Sequence, residues 1–170
     1  MSNIFETETK IKQIIDELKA LSAQAGLANQ GEEERIITSV FLYKFLNDKF
    51  MYNLSKFAEE IGETIEEILK NENDELDAFY DTTSGDVAFG YEDTIQYLIN
   101  HVEQADFYKQ FDDALVRIAQ NTRNDIFAVE TAEGSYRPLF EPISTPVEPS
   151  NRNNFAKNIF GIIQCVCGFF

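Results

Sequence analysis

Tryptophan is missing from this chain, histidine occurs once, and cysteine twice, at Cys165 and Cys167. One imidazole, His101, cannot build a His/His or Cys/His metal centre, and it reads as a surface or boundary residue. Two cysteines one residue apart do not bridge without strain, so a reduced, cytosolic chain is expected. Four Pro and eight Gly among 170 residues exclude a collagenous or linker-like chain. No apolar run approaches the ~18 residues of a membrane span. The opening "MSNIFETETK" has neither the basic flank nor the apolar stretch of a signal peptide. The closing "CGFF" lacks the aliphatic pair of a prenylation box. Gly85, Gly90 and Gly134 are isolated and form no phosphate or dinucleotide cradle. "TSGD" and "EGSY" are ordinary turn sequences without a nucleophile motif. "DELDAFYDTTSGD" has spaced acids but not the central Gly and terminal Glu of a calcium loop. Thirty carboxylates offer no spacing that singles out a general acid–base pair. On its residues the chain reads as no enzyme, with no catalytic, cofactor-binding or metal residue.

What is present is core material and negative charge. The chain is 44% hydrophobic, with fifteen Phe and seven Tyr, enough for one globular domain with a sizeable core. The net charge is −16, and it is unevenly spread. Residues 1–56 hold eight acids and seven bases, residues 57–116 seventeen and two, residues 117–170 five of each. The middle block therefore carries −15 of the total. Such a face repels phosphate at long range. Any nucleic-acid contact is expected from the neutral ends, where Arg117, Arg123, Arg137 and Arg152 lie. The competing reading of those arginines is surface salt bridging, and of the acidic block a solvated face.

The apolar spacing predicts helices almost throughout. Ile11, Ile14, Ile15, Leu18 and Leu21 mark a first one, capped by Asn3 or Thr7 and stopped at Gly26. A second begins after "GLANQG", with Asn29 as its cap and Glu32, Glu33 and Glu34 at the favoured end of the dipole. Its segment "ERIITSVFLYKFLNDKF" is apolar nearly all round, through Ile36, Ile37, Val40, Phe41, Phe45 and Phe50. That marks the central helix of a bundle, with Lys44, Asp48 and Lys49 on its wet edge. Leu54, Phe57, Ala58 and Ile61 continue it to Gly62. Thr64 and Glu67 form a capping box for a short helix. "KNENDELDAFYDTTSGD" reads as an acidic loop around a short turn. Ile95, Leu98, Ile99 and Val102 give a helix from about Tyr91. Phe107, Phe111, Leu115 and Ile118 give another, ending near Asn121. Glu133-Gly134 then turns a short β-hairpin, and "NNFAKNIFGII" resumes helical spacing. The expected fold is an all-α multi-helix bundle with a short hairpin near the C-terminus. Its parts are a bundle over 1–125, hairpin and loop over 126–154, and a helical segment over 155–170.

Three segments carry a family likeness. Val40-Phe41-Leu42-Tyr43-Lys44-Phe45-Leu46-Asn47-Asp48 resembles the signature helix of the N-terminal helical domain of type I restriction–modification DNA methyltransferase modification subunits. "FGYEDTIQYLINHV" is similar to that family's aromatic segment leading into a helix, although Gly90 and Tyr91 stand where the family usually has Pro. "FYKQFDDALVRIAQNT" resembles the next helix, with its Asp-x-Ala-x-x-x-Ile pattern and following Asn. The likeness runs over about residues 1–160.

The resemblance implies a non-catalytic domain of an N6-adenine DNA methyltransferase that helps the subunit clamp DNA and assemble. Its partners would be the modification, specificity and restriction subunits of a type I complex, and duplex DNA through that assembly, with no membrane. S-adenosylmethionine would bind in a catalytic domain that these residues do not contain. The family's Asn-Pro-Pro-aromatic motif, which receives an adenine extruded from the duplex, is absent. The apolar ending from Gly161 to Phe170 is accordingly expected either to tuck into the core or to mark a truncation or frame change. Arg117, Arg123 and Arg137 are the DNA-proximal candidates, as positioning rather than sequence-reading contacts. The reading from a different class is a small acidic interaction protein, a DNA mimic or inhibitor; a third is a helical scaffold module.

Overall fold

A computed structural model describes residues 2–28, 31–70 and 74–166. Among them stand seven α-helices: α1 (Ser2–Gln24), α2 (Gly31–Ile61), α3 (Ile65–Lys70), α4 (Asp74–Thr82), α5 (Ile95–Leu98), α6 (Phe107–Gln120) and α7 (Arg152–Cys165). Strands β1 (Val129–Glu130) and β2 (Tyr136–Arg137) pair antiparallel, Val129 opposite Arg137. Gly134 turns between them at φ 77°. The fold is all-α with a short hairpin, as the periodicity predicts.

Helix α2 is the hub. At about 1.5 Å per residue its 31 residues span roughly 46 Å. Its buried line runs Ile36, Val40, Tyr43, Asn47, Phe50, Leu54 and Ala58, at steps of three and four residues. Phe41 is only half-buried and Phe45 is exposed. The expected wet edge is corrected as well. Lys44 and Asp48 pair at 2.9 Å with side chains only 14% and 11% exposed, so the pairing lets both lie against the bundle.

Helix ends follow local chemistry. Gly26 at φ 79° closes α1, with Leu27 N–H donating to the Ser22 carbonyl at 2.8 Å. Asn3 and Thr7 do not cap that helix: both lie inside it. The Asn29 cap falls outside the described residues. Gly62 at φ 75° ends α2. The Thr64–Glu67 box is closed both ways, Thr64 N–H to Glu67 Oε2 at 3.0 Å and Glu67 N–H to Thr64 Oγ1 at 3.2 Å. Two expectations need correcting. The stretch read as an acidic loop contains α4, because Leu76, Phe79 and Tyr80 repeat at helical spacing and Asp74, Glu75 and Asp77 sit in its first turn. The helix expected from Tyr91 is reduced to a 3₁₀ turn, Tyr91–Asp93, and the single turn of α5; Ile99 is exposed and Val102 half-buried.

A continuous core reaches from Ile14 to Val166. Tyr43 touches Phe111, Phe89 and Phe140, with ring centroids 5.6, 6.1 and 6.3 Å away. Phe160 on α7 meets Phe107 and Phe111 edge-on at 5.2 and 5.6 Å. Of the apolar ending, Ile159, Phe160, Ile162, Ile163 and Val166 are buried and Cys165 is exposed. Segments without regular structure are held by buried polar side chains. Asn124 Oδ1 accepts from Ala88 N–H at 2.7 Å, and its Nδ2 donates to the Ala88 and Ile118 carbonyls at 2.9 and 2.8 Å. Asp112 accepts from the backbone N–H of Ile143 at 2.9 Å and of Ser144 at 3.2 Å, and from the Ser144 hydroxyl.

Candidate functional site

Three segments, from α2, the Gly90–Gln96 stretch and α6, meet at one polar junction centred on the buried Asp93. From α2, the Tyr43 hydroxyl donates to the Asp93 carbonyl at 2.8 Å. One turn on, Asn47 Oδ1 accepts from Ile95 N–H at 2.9 Å, and its Nδ2 donates to Gln96 Oε1 at 3.3 Å. From α6, Arg117 Nε donates to Asp93 Oδ1 at 2.7 Å. The other Asp93 oxygen accepts from Gly90 N–H at 3.2 Å. Thr94 caps α5 by accepting from Tyr97 N–H at 3.2 Å. Gly90 is needed for the close approach: a Cβ there would stand 2.9 Å from Asp93 Oδ2.

The electrostatics follow from burial. Desolvation pushes the Asp93 carboxyl above its ordinary value, and the Arg117 and Gly90 bonds pull against it without winning. Tyr43 is carried well above the usual phenol range, first by burial and then by the Asp93 charge. The Asp112 carboxyl is raised by burial against its three hydrogen bonds. These groups hold backbone in place, which is positioning rather than proton transfer.

A cavity of about 640 Å³ adjoins the junction, walled by Leu69, Tyr80, Tyr91 and Arg117, with Lys70 and Glu92 at its edge. A separate one of about 710 Å³ lies between the start of α2 and the hairpin, where Arg35 and Arg137 stand. Among the described residues no three His, Cys, Asp or Glu side chains are grouped to hold a metal ion. No described helix is long and apolar enough to cross a membrane.

The expected DNA-proximal arginines do not form one patch. Arg117 is tied to Asp93. Arg123 bonds Asp77 at 2.9 Å, lies 3.5 Å from Asp81 and stacks 4.8 Å over the Tyr80 ring. Arg137, on β2, is exposed and has no ion pair among the described residues. Arg152 donates to the Val147 and Thr145 carbonyls at 3.0 and 3.1 Å. His101 stacks on Tyr97 at 4.1 Å and shares a hydrogen bond with its carbonyl. Sequence reasoning missed Asn47, Asp93, Asp112 and Asn124. The available signal was position: Asn47 sits on the apolar line of α2, where a polar side chain requires a buried partner.

No family model matches this chain, and neither a curated protein nor a solved structure matches it.

Proposed function

We propose that this chain is the N-terminal helical domain of a type I restriction–modification modification subunit, non-catalytic by itself, within a cytoplasmic N6-adenine DNA methyltransferase. The observation that carries the reading is the junction at Asp93. Segments picked out by likeness alone, 50 and 24 residues apart in sequence, supply its two outer walls and its centre. Residues that build one architectural joint are the ones a fold must keep together, which accounts for a motif of mostly apolar helix positions.

In this role the domain supplies shape to the assembly. The modification, specificity and restriction subunits would be its neighbours, and S-adenosylmethionine would bind in a separate catalytic domain. Contact with duplex DNA falls to Arg137 before Arg117 or Arg123, because the latter two already have carboxylate partners. A phosphate contact there would set position and carry no sequence information.

The test is reconstitution. A matching specificity subunit is mixed with a modification subunit lacking the corresponding N-terminal residues, and adenine methylation of duplex DNA is recorded with and without this chain. Restored methylation is the expected result; no restoration overturns the reading. Inhibition of an intact enzyme that fades in high salt would instead favour an acidic DNA mimic. The exposed acids Glu59, Glu60, Glu63, Glu66 and Glu67 are the observation on which that second reading stands.

A further inference from the structure

We draw no further inference here: the strongest candidate, the cavity of about 390 Å³ along α6 that Glu92, Tyr97, His101, Asp106, Asp113 and Arg117 line, is a cluster of carboxylates in which Asp113 already pairs with Lys109 and Arg117 with Asp93, and no second feature among the described residues selects one class of ligand for it.

Discussion

Single polar side chains decide where the irregular third of this molecule lies. Asn124 is the clearest, since one amide satisfies both backbone groups of Ala88 and the carbonyl of Ile118 near the end of α6. Asn124→Ala leaves three buried groups unpaired and should cost about 2–4 kcal/mol in urea denaturation. Asp112 combines the same duty with a charge. Its folded pKa is raised by burial, so its contribution to stability is complete below the ordinary carboxylate value and is lost as pH rises through the raised one. Asp112→Asn removes that titration. The stability gap between wild type and variant should therefore widen as pH falls through the raised value toward the ordinary carboxylate range, measured by denaturation at each pH. A gap that narrows would contradict a buried, raised carboxyl.

Elements were legible where a long apolar period coincided with a cap. The Gly26 and Gly62 stops, the Thr64–Glu67 box, α6 and the hairpin turn at Gly134 could all be read, because each depends on chemistry within four residues. Thr64→Ala should destabilise the chain by about 0.5–2 kcal/mol, with the loss seen as helix signal and midpoint fall together. Helix α4 was obscured because its four acids among nine residues looked like solvent-loving loop, while only Leu76 and Phe79 are buried. The stretch after Tyr91 failed in the opposite way. Its apolar spacing suits a helix, but the backbone is captured by Asn47 and Tyr43 from α2, and no local rule could foresee that. The candidate site was less visible than the fold for the same reason: its bonds join residues far apart in sequence, and the arginines picked by charge turned out mostly paired within the chain.

At the scale of the whole molecule, charge opposes compaction. Between residues 57 and 116 seventeen acids stand against two bases, and the exposed ones, such as Glu59, Glu60, Glu63 and Asp74, repel one another. Raising salt from low to about 0.5 M should screen this and stabilise the fold by about 1 kcal/mol, or roughly 2–4 °C in thermal midpoint. A midpoint that falls with salt would mean that the surface ion pairs outweigh the repulsion. Against that background stands the joint at Asp93, drawn from residues 43, 93 and 117. Its Ile95 amide belongs to a helix of a single turn, which by itself would open within moments. Because that amide donates to a buried side chain of the longest helix, it can trade its proton for deuterium only when the entire bundle comes apart. Ile95 should thus appear in a hydrogen-exchange map as a slow island amid fast neighbours such as Ile99 and Asn100, and Asn47→Ala should dissolve the island.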